Sequence, residues 1–466
     1  MQSELLAELP DEMFSFSLLS SAPTLLAPRL GRLALAGRKA IQTPNYVPIT
    51  SRGALPHVSQ DMMKEHTPIG SLYAAFEDFA EKGQKTLPPI YKTPTQPFES
   101  ALRKFMCQQD DMLLILGPRR VPPVPCPTPN CSTSITILTS VGYRQLDTEQ
   151  YVEAIQKLLP DIAIGIADIP VNPGVKRRER MVDRTHAWTR DEIEQLYGPN
   201  AEAETKALFL APILPLDKEQ QNLYLEDLEE MDKVAGFALY DSHSSSVIPE
   251  SMASLLRMSL GETRTPQDIL REVALGIDLS TVPFISDASD AGIALDFVFP
   301  RPDNSSEPGT KPLGVDMWPA THAADMSPLV QGCKCYTCQK YSRAYVRHLL
   351  HAKEMLAWTL LQLHNHHIMD NFFAAVRESL AKGTFAEDTQ KFEAAYESGL
   401  PEQTGQGPRL RGYQFKGEAG AQPKNPKVYG RLDNVKGTLT ESQSSVATPD
   451  TDASELEKHG FAEKTE

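Results

Sequence analysis

Short apolar segments alternate with amphipathic segments of helical spacing along most of the chain. The apolar segments include LLILG at 113–117, IAIGIAD at 162–168, ALFLAPIL at 207–214 and VAGFALYDS at 234–242. A helical segment, DTEQYVEAIQKLL at 147–159, separates the first two, and Asp147 is its expected N-terminal cap. Strands that alternate with helices predict a parallel sheet, because each helix returns the chain to the start of the next strand.

The number of these units predicts a closed barrel. Enough of them recur over roughly 250 residues for a (β/α)8 TIM barrel. A doubly wound sheet is the alternative, but no glycine-rich dinucleotide or phosphate loop follows any of the apolar segments. The predicted fold class is therefore α/β, with a TIM barrel.

Several individual elements follow from the same patterns. ITILTS at 135–140 is expected to be the strand after 113–117, and IPESMASLLRMSL at 248–260 is expected to be helical. Leucines at helical spacing predict one long helix over 341–363. A second helix, NFFAAVRESLAKG, is expected to follow it and to stop at Gly383.

The charge balance limits the possible contacts with nucleic acid. The chain has 466 residues and a formal net charge of −15. A basic balance would have indicated nucleic-acid binding directly. An acidic one leaves either no such contact, or contact through a local basic patch or through a partner.

The N-terminal sequence and the low cysteine content, six in 466 residues, indicate a reducing compartment, because secreted disulfide frameworks are shorter and denser in cysteine. MQSELLAELPDEMF carries acidic residues early and lacks the basic and apolar regions of a signal peptide. No apolar run approaches the roughly 20 residues that an integral membrane segment needs. We therefore expect a cytoplasmic protein, with peripheral attachment to the mitochondrial outer membrane as a further possibility.

Three of the six cysteines form the strongest local motif. Cys333, Cys335 and Cys338 lie within six positions, and His364 returns 26 positions after the last of them at the end of a helix. Zinc prefers four sulfur and nitrogen ligands in a tetrahedron, and four protein ligands favour a structural ion. Spacing alone leaves other histidines open as the fourth ligand, namely His348, His351, His366 and His367.

This segment resembles the zinc-binding segment of tRNA-guanine transglycosylases. The similarity runs from GCKCYTCQK through YSRAYVRHLL to LHN and VRESLAKGTF, over about 333–395. Weaker similarity upstream, at TPNYVPITSRG, PDIAIGIAD and RTPQDILREVALGID, extends it to roughly 20–395. The resemblance implies a barrel with an inserted zinc subdomain at about 330–395. It also selects His364, because the family's ligand histidine precedes an asparagine, here Asn365.

The positions where the family keeps its catalytic groups are altered. Thr281 of GIDLST stands where catalytic members carry the nucleophilic aspartate, and Thr139 of LTSVGYR stands in place of a second aspartate. LAPILP near Ile213 replaces the base-binding strand, and Tyr240 stands where a glycine would leave room for the base. Asp168, which matches the aspartate that recognises the base, is retained. The sequence therefore predicts no catalytic residue.

The string GIDLSTVPFISDASDAGIALDFVFP resembles the non-catalytic accessory branch of the family. That resemblance implies a heterodimer with the catalytic queuine tRNA-ribosyltransferase subunit, one structural Zn²⁺, and contact with tRNA through the complex. The complex would exchange guanine for queuine at the wobble position. The alternative is an active glycosyl transferase or hydrolase of altered specificity that uses Asp168 or Asp296.

The resemblance also places the zinc segment at or near the subunit contact. The apolar side chains Tyr345, Leu349, Leu356 and Trp358 would then divide between the core and the interface.

Composition divides the chain near residue 398. Residues 1–398 are predicted to form the barrel with its zinc subdomain, and 399–466 a disordered tail, since Gly, Pro, Gln, Ser, Thr and acids dominate there. Two basic clusters are open to interpretation. KRRERMVDR at 176–184 could meet phosphate or be a charged helix face, and RLRGYQFK at 409–416 could bind single-stranded RNA or be a linker.

Overall fold

The computed structural model describes residues 14–19, 25–80, 88–96, 99–126, 129–140, 142–170, 173–199, 201, 205–301 and 309–408. The strands are β1 (Phe14–Leu18), β2 (Gly31–Leu35), β3 (Ile41–Thr43), β4 (Asn45–Val47), β5 (Ser71–Ala75), β6 (Leu113–Gly117), β7 (Ser134–Thr139), β8 (Gly142–Asp147), β9 (Ile162–Ile164), β10 (Leu208–Ile213), β11 (Val234–Leu239), β12 (Leu256–Ser259), β13 (Leu279–Thr281), β14 (Ile293–Leu295) and β15 (Gly314–Asp316). The helices are α1 (Gln60–His66), α2 (Ala101–Phe105), α3 (Thr148–Leu158), α4 (Val175–Tyr197), α5 (Asn222–Glu230), α6 (Pro266–Ala274), α7 (Phe284–Ala291), α8 (Tyr336–Lys340), α9 (Arg343–Ala352), α10 (Met355–Lys382) and α11 (Phe385–Ala395).

Eight parallel strands form the predicted barrel. Their spatial order, β4-β13-β12-β11-β10-β9-β6-β5, is their sequence order read around a ring. A parallel bridge between Ile49 and Tyr73 joins the end of β4 to β5, and the backbone N–H of Thr50 donates to the Tyr73 carbonyl at 2.9 Å. The ring is thus nearly closed, and the predicted α/β barrel is confirmed.

Alternating residues of the barrel strands face two different cores. In β6, Leu113 and Ile115 pack in the barrel interior, whereas Leu114 and Leu116 pack in the layer between strands and helices. This alternation is what the period of two along a strand produces. The interior is filled by side chains that include Val47, Tyr73, Ile162, Ile164, Leu210, Ala238, Leu256, Met258 and Leu279.

In the barrel part of the chain, two of the predicted elements differ from the structure. ITILTS does form a strand, β7, but it pairs antiparallel with β8 as a hairpin outside the barrel sheet. The segment 248–260 was expected to be helical, yet it contributes a short 3₁₀ turn, Glu250–Met252, and then the barrel strand β12. The strand β12 is only four residues long, LRMS, so it is too short to show its own period within a segment whose apolar residues also suit a helix.

An antiparallel sheet of β1, β2 and β3 precedes the barrel. Leu33 and Ile41 of this sheet belong to the same buried cluster as the barrel interior. Nearby, Arg29 donates through Nε to Asp278 at 2.9 Å and pairs with it again through a guanidinium nitrogen. Both side chains are almost fully buried, and Arg257 donates its backbone N–H to the same carboxylate at 2.8 Å. This ion pair joins the N-terminal segment to β12 and β13.

The subdomain that follows the last barrel strand contains the hairpin of β14 and β15 and the helices α8 to α11. The single helix expected over 341–363 is instead two helices, because Lys353 adopts a left-handed conformation with φ of 57° between α9 and α10. The second helix expected after it is not separate, since α10 runs without a break to Lys382. Its predicted stop is confirmed, with Gly383 as the C-cap at φ of 75°.

The boundary of the predicted tail stays a prediction. Residues 399–408 are described, and the Thr404 hydroxyl donates to Asp316 while Lys353 Nζ donates to Gln406 at 2.8 Å. The rest of the predicted tail, including RLRGYQFK, lies outside the described residues. No helix in the described ranges combines the length and the apolar character that crossing a membrane requires.

Substitution of Asp278 tests whether its buried ion pair with Arg29 stabilises the fold. Asp278→Asn should lower the free energy of unfolding by about 3–5 kcal/mol, since it leaves the buried guanidinium of Arg29 without its anion. Urea denaturation measures the change. As a control, Glu378→Gln removes an exposed pair with Lys382 and should change stability by less than about 1 kcal/mol. Equal effects of the two substitutions would contradict this role.

Candidate functional site

The structure brings the four predicted metal ligands together. The ligand atoms of Cys333, Cys335, Cys338 and His364 all lie within 4.8 Å of one another. His364 Nδ1 is 3.7 Å from the Cys333 sulfur and 3.4 Å from each of the other two sulfurs. A tetrahedral zinc ion would set a sulfur–nitrogen separation of roughly 3.6 Å, from its usual bond lengths. The donor set and the spacing therefore fit a metal ion of this kind.

Local structure explains how three thiols converge. Cys335 is the N-cap of the short helix α8, and its sulfur accepts from the backbone N–H of Cys338 at 3.3 Å. The cap places two sulfurs on the same side of the first helical turn, and Cys333 lies in the turn before it. Because the Thr337 hydroxyl donates to the Leu360 carbonyl at 2.7 Å, α8 is fixed against α10.

The imidazole of His364 is fully buried and held in one orientation. Its Nε2 lies 2.9 Å from the carbonyl of Leu295, the last residue of β14, so Nε2 carries the proton and donates. The other nitrogen, Nδ1, thereby faces the three sulfurs. A backbone carbonyl that fixes the tautomer of a ligating histidine is the usual outer contact of a metal site.

Asn365 completes the attachment of α10 to the same strand. Its side-chain oxygen accepts from the backbone N–H of Leu295 at 2.8 Å, and its amide donates to Ile293 at 3.0 Å and Ser289 at 2.9 Å. His364 and Asn365 thus bind both sides of the end of β14. The sequence motif of a histidine followed by asparagine reflects this double contact.

The thiols influence one another's protonation. Hydrogen bonds with Cys335 and Cys338 hold the pKa of the Cys333 thiol well below its usual value, and contact with Cys333 raises the pKa of Cys335. Burial lowers the pKa of His364, but hydrogen bonds to Cys333 and Cys338 outweigh burial and raise it to about 9. Without a metal ion, the thiolate charge therefore holds a proton on His364, and a divalent cation that binds the cluster would displace this proton.

The other histidines that spacing left open are placed differently. His366 is buried and lies 3.1 Å from the Tyr46 hydroxyl through Nδ1 and 3.0 Å from the Gln362 amide through Nε2. His348 and His351 are exposed on α9. The group of ligand atoms that could hold a metal ion includes none of these three, nor the half-buried His367.

A second candidate region is the carboxyl end of the barrel, the mouth, where enzymes of this fold keep their active sites. Asp168 follows β9 there and is fully buried. Arg177 donates to both of its carboxylate oxygens, at 2.6 and 2.7 Å, and Arg184 donates to one of them at 3.1 Å. The amide of Asn130 donates to the other at 2.8 Å. The carboxylate is therefore fully occupied by groups of the chain itself.

Sequence patterns did not reveal these partners of Asp168. Arg177 and Arg184 belong to the basic cluster at 176–184, which offered either phosphate contact or a charged helix face. Both residues lie seven positions apart on one face of α4, and that face points at the end of β9 rather than to solvent. The spacing of Arg177 and Arg184 was the one sequence feature that indicated a shared helix face. No sequence feature indicated that Asn130 would contact Asp168.

The altered catalytic positions make structural contacts. Thr281 is fully buried and donates to the Ser259 carbonyl at 3.1 Å. Thr139 donates to the Gly142 carbonyl at 2.8 Å in the β7–β8 hairpin. Tyr240 follows β11 and packs against both the barrel interior and the surrounding layer, and burial raises its pKa to about 12. A neutral phenol thus occupies space at the mouth, where a glycine would leave it open.

Asp296, the other carboxylate considered for catalysis, lies elsewhere. It follows β14, and its backbone N–H donates to the Leu313 carbonyl at 2.9 Å beside β15. Its side chain pairs with Lys311 at 2.7 Å. Because β14 and β15 form a separate two-stranded sheet, this carboxylate is not on a barrel strand.

Comparison with known proteins agrees with this geometry. The family model described as queuine tRNA-ribosyltransferase matches residues 25–398. The chain belongs to this family. Among similar curated proteins, one from Schizosaccharomyces pombe named queuine tRNA-ribosyltransferase accessory subunit 2 is 36% identical over 381 residues, which cover 81% of this chain and 83% of that protein.

More distant relatives carry the same name. The protein of Anopheles gambiae is 26% identical over 383 residues, with 77% of this chain and 85% of the relative covered. The protein of Xenopus tropicalis is 26% identical over 399 residues, which cover 76% of this chain and 94% of that protein. The similarity to proteins named as accessory subunits thus spans the barrel and the cysteine-containing subdomain together.

Loss of one thiol tests the metal centre. The purified chain should contain one metal ion, and Cys335→Ser should lower metal affinity at least about tenfold, because a hydroxyl does not supply a thiolate ligand. Elemental analysis together with chelator competition measures both quantities. His348→Gln, an exposed histidine of α9, should leave metal content unchanged. Equal metal content in the wild type and in Cys335→Ser would contradict the assignment.

Proposed function

We propose that this chain is the non-catalytic subunit of a heterodimeric queuine tRNA-ribosyltransferase, which exchanges guanine for queuine at the tRNA wobble position. The names of the relatives support the accessory role. The observation that carries the proposal is the mouth of the barrel. There Asp168 is occupied by Arg177 and Arg184, and a threonine stands at the nucleophile position.

The chemistry of the exchange explains why an occupied Asp168 and a threonine at the nucleophile position count against catalysis by this chain. Displacing a base from a ribose needs a carboxylate that can attack or stabilise the anomeric carbon. The Thr281 hydroxyl is neutral at pH 7 and donates to a backbone carbonyl. The catalytic aspartates would therefore come from the partner. The contacts of Asp168 and Asp296 count against the alternative of an active enzyme that uses either carboxylate.

The metal at the cysteine cluster is proposed to be one structural zinc ion. Three sulfurs and one nitrogen are a donor set that zinc prefers, and four protein ligands leave no position for a substrate. Cys333, Cys335 and Cys338 would anchor the α8 turn, and His364 would join it to α10 and β14. Zinc would thus stabilise the subdomain rather than take part in a reaction.

The subdomain also supplies a surface for the partner. Of the four apolar residues considered for the interface, Leu349 and Trp358 are buried, whereas Tyr345 is 41% exposed and Leu356 is 38% exposed. Two neighbouring methionines, Met326 and Met355, are more exposed still. We define the partner surface as Met326, Tyr345, Met355 and Leu356. Exposed apolar residues grouped on one subdomain are typical of a protein–protein contact.

Contact with tRNA would be made through the complex. The first turns of α4 expose Lys176, Arg178 and Arg180 near the mouth, and these cations could meet phosphates of the RNA held by the partner. A local patch of this kind is compatible with the net charge of −15. The complex would act in the cytoplasm, with attachment to the mitochondrial outer membrane as a further possibility.

An exchange assay tests the proposed function. Guanine exchange into a tRNA with a GUN anticodon should be absent with this chain alone and should appear only or mainly when the catalytic subunit is added. Radiolabelled guanine measures incorporation by each subunit and by the mixture. Exchange by this chain alone would contradict the proposal and would direct the search for a nucleophile to Asp296 and Asp168.

Charges placed on the partner surface test the heterodimer. The double substitution Tyr345→Glu and Leu356→Glu should weaken association at least about tenfold, because it buries two carboxylates without partners. Analytical ultracentrifugation of the mixed subunits measures the dissociation constant. Leu223→Glu, on the exposed face of α5, is the matched control and should leave association unchanged. Unchanged association of the double variant would place the interface elsewhere.

A further inference from the structure

A cavity of about 400 Å³ lies at the end of the barrel opposite the mouth. It is bounded by the first residues of β4 and β5, by the β2–β3 connection, and by the second half of α10. Its volume is within the range of small-molecule sites. Because the catalytic positions of the family lie at the carboxyl ends of the strands, this cavity is separate from them and independent of the proposed function.

A chain of hydrogen bonds leads to one wall of the cavity. The amide of Gln362 donates to His366 Nε2 at 3.0 Å, so the proton of this imidazole lies on Nδ1. His366 Nδ1 is 3.1 Å from the Tyr46 hydroxyl, which in turn donates to Asp370 Oδ1 at 2.8 Å. Every donor in the series points toward Asp370. The carboxylate is therefore fixed in position by three buried side chains of the protein.

The other oxygen of this carboxylate lacks a donor. Asp370 Oδ2 is buried and has no hydrogen-bond partner among the described residues. Burial raises the pKa of Asp370 to about 7, although the hydrogen bond from Tyr46 acts in the opposite direction. A buried carboxylate oxygen without a donor destabilises the folded state, so a donor supplied by a ligand would stabilise it.

Two cations also line the cavity. Arg377 is half-buried, and one of its guanidinium nitrogens donates to the Pro44 carbonyl at 2.8 Å, which fixes its plane. Lys39 stands at the rim with its side chain 45% exposed and is 3.3 Å from Asp111. Lys39, Asp370 and Arg377 are the charged groups that line the cavity.

The acid and the guanidinium face the same space without pairing. Asp370 and Arg377 are seven residues apart on α10, which places them on one face with their Cα atoms roughly 10 Å apart. No ion pair within 4.0 Å joins these two described residues, although each acts on the pKa of the other. A purely anionic ligand would be repelled by Asp370, and a purely cationic one by Arg377.

We propose that this cavity binds a small zwitterion of the amino-acid class, whose ammonium group donates to Asp370 and whose carboxylate accepts from Arg377 and Lys39. Such a ligand supplies the missing donor for Oδ2 and bridges the two separated charges. Bidentate contact between a carboxylate and the fixed guanidinium plane would give the site its orientation. Binding here would leave the mouth and the metal cluster untouched.

A series of ligands of increasing charge separation tests the proposal. Glycine, γ-aminobutyrate and ε-aminocaproate are titrated into the full chain by calorimetry, beside hexanoate, hexylamine and inorganic phosphate. At least one zwitterion should bind at least about tenfold more tightly than every probe with a single type of charge. A site in which hexanoate or phosphate binds as tightly as the zwitterions would overturn the proposal, because it would be a simple anion site. Failure of all six probes to bind would overturn it as well.

Three variants locate the binding. Asp370→Asn and Arg377→Gln should each weaken binding of the best zwitterion at least about tenfold, and circular dichroism verifies that they are folded. Lys39→Gln, at the exposed rim, should weaken it by up to about fivefold, the size of an exposed ion pair. Because Lys39 is exposed, this variant should stay folded and still tests the site if Asp370→Asn or Arg377→Gln unfolds the chain. Arg271→Gln, in the exposed pair with Asp268 on α6, is the control and should have no effect. Binding that none of the three cavity variants weakens would refute the assignment.

Discussion

The subdomain and the barrel depend on one buried row of polar side chains along α10. Gln362 donates to Ser286 of α7, and His364 donates to the end of β14. Asn365 binds the same strand, and His366 meets Tyr46 of β4. Polar groups buried in an apolar helix are tolerated only when they are paired, so each of these contacts fixes the position of α10 against a different element.

This arrangement links the metal cluster to the barrel through a single helix. His364 directs Nδ1 toward the three thiols of the cluster. Its neighbour Asn365 binds β14, the strand whose last carbonyl orients the His364 ring. A metal ion at the cluster would therefore fix α8 and α10 together and, through β14, the start of the subdomain. Two residues of the partner surface, Met355 and Leu356, lie in the first turn of α10, so their position depends on the same row.

At the mouth, the residues that stand at the family's catalytic positions make structural contacts. A carboxylate that receives four hydrogen bonds from Arg177, Arg184 and Asn130 is fixed and fully compensated, which favours stability over reactivity. Tyr240, after β11, fills space at the mouth, and the Thr281 hydroxyl of β13 donates a hydrogen bond to the neighbouring strand β12. Under the proposed function, the barrel would serve as a scaffold and the partner would carry the reaction.

Much of this could be predicted from the sequence, and the exceptions have physical reasons. Period was sufficient for the barrel, and spacing with ligand chemistry was sufficient for Cys333, Cys335 and Cys338 as metal ligands. The choice of His364 among five nearby histidines came from the resemblance to the family's zinc segment. These patterns were not sufficient for β12, a strand of four residues that is too short to show its own period. They were also not sufficient for the break at Lys353, where neither glycine nor proline marks a turn. The partners of Asp168 come from segments that only the fold brings together, and no local pattern announces them.

We infer that the chain's own side chains close the mouth of this barrel to a base. Calorimetric titration of guanine into the isolated chain tests it most directly. The account predicts no saturable binding, because Asp168 is occupied by arginines and Tyr240 fills the adjacent space. Saturable binding of guanine that is lost in Asp168→Asn, with the fold intact, would contradict the account and would show that the pocket still recognises its base.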